Sequence, residues 1–259
     1  MDVANAKGLF VQRGWEVDLL HRTHRLLTRE GLLSDPKRNV VLDLGANIGM
    51  ICIAMLKWGY FREALAFEPF PDHVRLLERN VRQNGLEGAI RAFPYALSAE
   101  DGEAALETSD VNAGDHRVRA SAPRIDALMH EDAWGTLRIQ TRTLDSVLRA
   151  EANLDPDRIG LIWVDIQGHE GHFFEGARET LSHGMPVLTE FWPYGILRSG
   201  LSADAYTAIV KSLFHAVIVV TPESPNFERM DPDSIRGLFE AYPRPDDQLE
   251  LLLLPKPRS

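Results

Sequence analysis

The chain has 259 residues, enough for one large domain. Hydrophobic residues make up 44% and charged residues 25%, a globular balance that excludes global disorder. With 28 basic against 38 acidic side chains the formal net charge is -10, which disfavours nucleic acid and anionic membranes and leaves neutral or cationic partners.

A single cysteine, Cys52, excludes an intramolecular disulfide and a cysteine-cluster metal site, and fits a reducing compartment. The longest aliphatic runs, 51–56 and 251–254, fall far short of the roughly 20 residues of a membrane span. The first residues carry Asp2 and no apolar stretch, so no secretory signal is read and a cytoplasmic location is expected.

Residues 9–30 place Phe10, Trp15, Leu19, Leu20, Leu26 and Leu27 at helical spacing, with Arg22, His24, Arg25 and Arg29 either a solvated face, the commoner fate of such a run, or a contact for an anionic substrate. Asp35-Pro36 ends that helix. Residues 40–44 read as a short apolar strand, 48–58 as a helix ending at Gly59, and 64–67 as a second strand stopped by Pro69. A helix over 72–83 presents Val74, Leu77 and Val81, and Asn84-Gly85 closes it before a third strand over 90–95. This alternation predicts βαβ units and a parallel sheet. A short extra strand over 103–107 precedes 109–135, a polar stretch read as a lid or an irregular insertion. Then come a strand over 137–141, a helix over 144–150, a buried strand over 159–164 and a helix over 170–182. A strand over 186–189, a helix over 203–214 and strands over 216–221 and 249–254 complete the chain. The last two strands flank a Pro-rich, acidic connection. No repeat and no second domain emerge, so a helical extension (1–38) precedes one α/β domain (39–259).

The first strand delivers Asp43-Leu44-Gly45-Ala46-Asn47-Ile48-Gly49. Gly45 permits a sharp turn and close approach of a ligand, and the following helix start offers free N–H groups. Glu68, at the end of the second strand, can accept two hydrogen bonds from a ribose diol, which points to a nucleoside ligand. A dinucleotide fingerprint fails here, because Asn47 replaces its second glycine and residue 50 is Met. Asp43 would repel a pyrophosphate and attract an ammonium. S-adenosylmethionine carries an ammonium, a sulfonium and a ribose but no phosphate, so Asp43, Gly45, Gly49 and Glu68 favour it over a nicotinamide cofactor.

Strand 159–164 runs into Asp165-Ile166-Gln167-Gly168-His169-Glu170, and ligands of open α/β sheets lie outside such strand ends. Glu190-Phe191-Trp192-Pro193-Tyr194 follows the next strand on the same edge, where an acid and three aromatics would line an acceptor pocket.

These elements together resemble the FkbM-type S-adenosylmethionine-dependent methyltransferases. The resemblance is carried by residues 41–49, Phe67-Glu68-Pro69, Asn80 with Asn84-Gly85, and Ala96-Leu97-Ser98. It continues through Thr143-Leu144-Asp145, residues 165–170, Gly176-Ala177 and Glu190, and covers roughly 39–192. It implies a Rossmann-like class I fold, a mostly parallel seven-stranded sheet with helices on both faces. It also implies O-methylation of a sugar, glycolipid or polyketide-type hydroxyl. The expected cofactor set is Asp43, Gly45, Ala46, Asn47, Gly49, Glu68, Phe70, Ala96 and Asp165.

Among the candidates for chemistry, Asp165 faces the methyl group and acceptor, or else caps the strand end. His169 is either a general base, with an unperturbed pKa of about 6.5, or a surface residue of the first helical turn. Glu190 orients the base or acceptor, while Gln167, Trp192 and Tyr194 contact substrate, the two aromatics stacking on a sugar ring or simply packing. No spacing supports a metal site. Two positions depart from the family: many members carry a lysine where this chain has Trp163, and a glutamate where it has Gln167. These departures keep open a second reading, a non-catalytic S-adenosylmethionine-binding partner of another biosynthetic enzyme. The Asn/Asp-Pro-Pro-aromatic signature of base methylation is missing, which argues against a nucleobase target.

Overall fold

A computed structural model of the chain describes residues 15–109, 113–120, 123–129, 131–220 and 228–257. The apolar runs become strands β1 (Val40–Leu44), β2 (Glu63–Phe67), β3 (Ile90–Phe93) and, later, β8 (Ile159–Val164) and β9 (Val187–Phe191). Every residue of β1, β8 and β9 is buried, as expected of strands covered on both faces. Strand β1 pairs in parallel with β2 and β8, β2 with β3, and β8 with β9. The sheet is completed by β10 (Phe214–Val219), β11 (Arg229–Met230) and β12 (Leu249–Pro255), and β12 runs antiparallel to both β9 and β10. Its order is β11-β10-β12-β9-β8-β1-β2-β3, so it has eight strands where seven were expected, the extra one being the two-residue edge β11.

Alternation along each strand divides the core. Val40, Leu42 and Leu44 of β1 face one side with Ile162, Phe173, Phe174 and Tyr206, while Val41 faces the other with Cys52, Met55, Leu161 and Trp163. Helix α1 (Trp15–Arg29) buries Leu19, Leu20, Leu26 and Leu27 against that second side. The expected start of this helix, including Phe10, lies outside the described residues.

Helices α2 (Met50–Lys57) and α3 (Pro71–Gln83) follow β1 and β2. Asn80 ties them together, its Nδ2 donating to Ile48 O at 2.8 Å. The helix expected over 144–150 is a four-residue α4 (Leu144–Val147) that widens into a π turn over Leu148–Ala152. The helix expected over 170–182 is broken into α5 (Glu170–Glu175) and α6 (Arg178–Leu181). The break falls at Gly176, where a Cβ would stand 2.0 Å from Ser98 O, and Asp145 then accepts the N–H groups of Glu179 and Thr180. Helix α8 (Ala203–Leu213) is as expected, whereas α7 (Pro193–Arg198) and α9 (Ile235–Ala241) are additional.

The larger departure is a second sheet, built from β4 (Ala96–Leu97), β5 (Gly102–Thr108), β6 (Arg117–Val118) and β7 (Gly135–Arg142) in the order β4-β7-β5-β6. Strands β5 and β7 pair antiparallel across the insertion, bringing Leu106 opposite Leu137 and Ala104 opposite Ile139. With Phe70 and Ala96 these residues make a small third core that holds the insertion over the carboxyl edge of the main sheet.

Candidate active site

The turn after β1 is in van der Waals contact with the end of β8. Gly45 has φ +77°, and a Cβ there would fall 1.8 Å from Asp165 O, so only glycine fits. The N–H groups of Gly45 and Ala46 both donate to Phe67 O at 3.0 Å, fixing the turn on the end of β2. Glu68 extends that bracing: its Oε2 accepts from Asn47 N at 2.9 Å and its Oε1 from Phe70 N at 2.8 Å. Glu68, Asn47 and Gly45 line a cleft together with Ala96, His73, His116, Asp165, Gln167 and His169. Each Glu68 oxygen keeps a lone pair, and Asn47 Oδ1 is buried without a partner, so the wall offers acceptors to a hydroxylated or ammonium-bearing ligand.

Four members of the expected cofactor set, Asp43, Ala46, Gly49 and Phe70, do not line this cleft. Asp43 is buried beneath the turn, where its Oδ2 accepts Cys52 N at 3.0 Å, and it does not line the cleft. Burial, seconded by the nearby Asp165 and Glu68 carboxylates, pushes its pKa up to about 6. Gly49 supplies a left-handed residue ahead of α2 and room for Leu77, whose Cδ1 would lie 2.3 Å from an added Cβ. Phe70 meets the His73 and His116 rings edge-on, at 4.9 and 4.4 Å between centroids, and supports the cleft from behind.

The opposite wall is the turn after β8. Gln167 has φ +56° and Gly168 φ +92°, and a Cβ on Gly168 would meet Gly195 C at 2.2 Å. Glu170, fully buried, holds this turn through its Oε1, which accepts Ile166 N at 3.3 Å and Gly168 N at 3.2 Å. Burial raises its pKa to about 7, with Asp165 adding to the effect. Sequence reading passed over Glu170; the available signal was an acid in the first turn of a helix just after a glycine. Gln167 Nε2 donates to Asp165 Oδ1 at 2.8 Å and to Glu190 Oε2 at 3.4 Å.

Beyond Gln167 lies a second, acidic cleft, lined by Asp115, Asp165, Glu190, Asp246 and Glu250 together with Trp163, Met50 and Leu19. Glu190 and Glu250 sit opposite each other on β9 and β12. Burial, reinforced by Asp165, Glu250, Glu170 and Asp115, holds the Glu190 carboxyl well above the usual carboxylate range. The two clefts share Gly45, Asn47, Gly114, Asp165 and Gln167.

His169 differs from both sequence readings. It is buried, its Nε2 lies 2.9 Å from Ser98 Oγ, and its ring stacks on His172 at 4.4 Å. Burial, then His172, lowers its pKa to about 3, so the imidazole is neutral at working pH and is a poor proton acceptor.

The aromatics after β9 also turn away from the clefts. Phe191 is in the core against Phe239 and Tyr206. Trp192 donates to Pro245 O at 2.6 Å, and Tyr194 donates to Glu131 Oε1 at 2.5 Å. Arg117 lies between the Trp134 and Trp192 rings, 4.7 and 4.6 Å from their centroids, and pairs with buried Glu131 at 3.2 Å. Trp192 and Tyr194 therefore clamp the insertion in place, and the insertion contributes Gly114, Asp115 and His116 to the clefts. Neither the clamp nor these three contacts was legible in a stretch without periodicity. Among the described residues no three His, Cys, Asp or Glu side chains are grouped as for a metal, and no helix is long and apolar enough to cross a membrane.

A mostly parallel sheet reversing between β1 and β8, with a glycine turn and the Glu68 carboxylate at its carboxyl edge, is the Rossmann-like fold shared by class I methyltransferases. A family model described as the methyltransferase FkbM domain matches residues 43–239, and the chain belongs to that family of S-adenosylmethionine-dependent methyltransferases. The chain is 29% identical over 176 residues to a 2-O-methyltransferase, NoeI, of Sinorhizobium fredii, covering 66% of this chain and 69% of that one. It is 26% identical over 183 residues to methyltransferase sdnD of Sordaria araneosa, covering 62% and 70%. A solved FkbM methyltransferase from Methylobacillus flagellatus is similar at 14% identity and a TM-score of 0.47; the match covers 84% of this chain but only 44% of that longer one.

The first cleft suits the family's cofactor. The orphaned Asn47 Oδ1 and the open lone pairs of Glu68 match a ribose-bearing, phosphate-free ligand.

Proposed function

We propose that the protein is an O-methyltransferase acting on a hydroxyl of a neutral or cationic small molecule or glycan. The observation that carries this reading is the meeting of two clefts at Asp165 and Gln167, one shaped for the cofactor and one lined by carboxylates. A relative named as a 2-O-methyltransferase supports oxygen as the acceptor atom. The acidic lining disfavours an anionic acceptor. The lone, buried Cys52 agrees with a cytoplasmic setting.

S-adenosylmethionine supplies a methyl group on a sulfonium, which leaves readily. Glu68 and Asn47 would hold its ribose side, with Gly45 and Ala96 lining the same cleft. Asp165 and Gln167 align the acceptor hydroxyl at the boundary, and alignment supplies much of the rate when the leaving group is good. The hydroxyl proton passes to the Glu190 carboxylate, whose raised pKa makes it a better proton acceptor than an ordinary glutamate. The insertion acts as a lid, its Gly114, Asp115 and His116 lining the clefts and its Arg117 pairing with Glu131. The N-terminal extension is part of the acceptor site through Leu19.

Calorimetry with S-adenosylmethionine, followed by transfer of a labelled methyl group to a panel of hydroxylated acceptors, tests the reading. Glu68→Ala is expected to weaken cofactor binding by about 1.5–3 kcal/mol, the scale of a hydrogen bond to a charged group. Glu190→Gln is expected to lower kcat about 100-fold with little change in cofactor affinity. Tight cofactor binding without transfer to any hydroxyl would favour the non-catalytic module instead.

A further inference from the structure

We infer that Gln167 is a positioning residue for the proton transfer: its neutral amide, set between Asp165 and Glu190, holds the Glu190 carboxylate at the acceptor cleft, and the position must carry a donor and no charge. The inference rests on the proposed methyl transfer and concerns how its proton acceptor is held.

The backbone fixes where this side chain goes. A left-handed φ of +56° is uncommon for a residue with a Cβ. It is imposed at three points that do not involve the Gln167 side chain. Gly45 lies against Asp165 O, Gly168 against the Gly195 backbone, and Glu170 Oε1 accepts the Ile166 and Gly168 N–H groups. The turn is therefore built without the amide of residue 167, which is left to face the junction of the clefts. Strain maintained by surrounding structure in this way is a feature of functional sites.

The chemistry at the tip is specific. An amide nitrogen carries two hydrogens, and ionised carboxylates only accept. One hydrogen goes to each acid, at 2.8 Å to Asp165 and at 3.4 Å to Glu190. The long second bond is of the kind that shortens when an active site fills. The acids facing Glu190 are Asp165 from the turn, Glu250 on β12, Glu170 on α5 and Asp115 on the insertion, with Asp246 lining the same cleft. Asp165, Glu250, Glu170 and Asp115 oppose ionisation of Glu190, and a donated N–H favours it. A glutamate at 167 has the same length, yet it would donate one hydrogen bond at most, and only while protonated. A leucine would donate none.

The test uses the full chain with 13C-labelled glutamate. The Glu190 carboxyl resonance is assigned by its loss in Glu190→Gln and titrated in the parent, in Gln167→Glu and in Gln167→Leu. Both Gln167 variants are expected to move the Glu190 midpoint upward by about one pH unit, the scale set by loss of one hydrogen bond to a charged group. The acid limb of kcat/KM for methyl transfer is expected to move with it, lowering the rate on that limb about tenfold. A Glu190 midpoint unmoved in both variants overturns the inference, as does a shifted midpoint with an unshifted acid limb. If the parent transfers methyl to no acceptor, the proposed function fails, and the carboxyl titration still decides whether Gln167 tethers Glu190.

Discussion

Replacing Glu170 by glutamine should make the protein's stability less sensitive to pH. Glu170 is fully buried at the start of α5, with Oε1 shared by two backbone N–H groups and Oε2 without a partner. Burial raises its pKa from an ordinary 4.5 to about 7. In the unfolded chain the carboxyl ionises near its ordinary value, so between roughly pH 4.5 and 7 the folded state holds a proton that the unfolded state has released. The contribution of this group is fully present below about pH 4.5 and is lost as pH rises through about 7. At about 1.4 kcal/mol per pH unit the loss amounts to roughly 3 kcal/mol. Glutamine keeps an oxygen for the two N–H groups and removes the ionisation. Its added NH2 costs a further, pH-independent amount, because it is buried where Oε2 found no partner. The expected result is thus a difference in unfolding free energy, variant minus parent, that grows in the variant's favour by roughly 3 kcal/mol between pH 4.5 and 8. For a domain of this size that is about 2–4 °C in Tm per kcal/mol. Urea and thermal unfolding of both proteins across that range provide the measurement. Asp43 and Glu190 titrate in both proteins and largely cancel in the difference. A difference that stays constant with pH would refute the assignment of a protonated, buried Glu170.

Gly45→Ala places a Cβ 1.8 Å from Asp165 O on a backbone with φ +77°, so the β1 and β8 turns must separate; calorimetry should show loss of S-adenosylmethionine binding, and Tm should fall by several degrees. His169→Ala should leave the shape of the kcat/KM pH profile between 6 and 9 unchanged, because the imidazole, with a pKa of about 3, does not titrate there; loss of a limb would restore it as the base. Arg117→Met leaves buried Glu131 with the more distant Arg198, at 3.9 Å, as its cation and should cost about 3 kcal/mol by urea unfolding, with faster hydrogen exchange over 113–118; adding Glu131→Gln should recover part of the loss.

Several features were readable from the chain alone because their causes are local. The all-apolar runs of β1 and β8 announce strands buried on both faces, and Gly45 announces a turn that no residue with a side chain can make. Glu68 follows from its place one strand later, since the parallel βαβ connection brings successive strand ends to one edge. The rest depended on partners far along the chain. Whether Asp43 faces a ligand or α2 is decided by the Cys52 N–H it meets. The titration of His169 is decided chiefly by its burial, with His172 three residues on adding to it, and burial is not encoded in its neighbourhood of polar residues. Trp192 and Tyr194 read as cleft aromatics until the insertion supplies Arg117 and Glu131 to take them. The β5–β7 pairing that carries the insertion joins two segments whose short alternations are weak signals apart and specify a register only once they face each other. Sequence pattern determines which backbone conformations and which faces are available, whereas burial and the charge of an ionisable group depend on contacts that exist only in the folded chain.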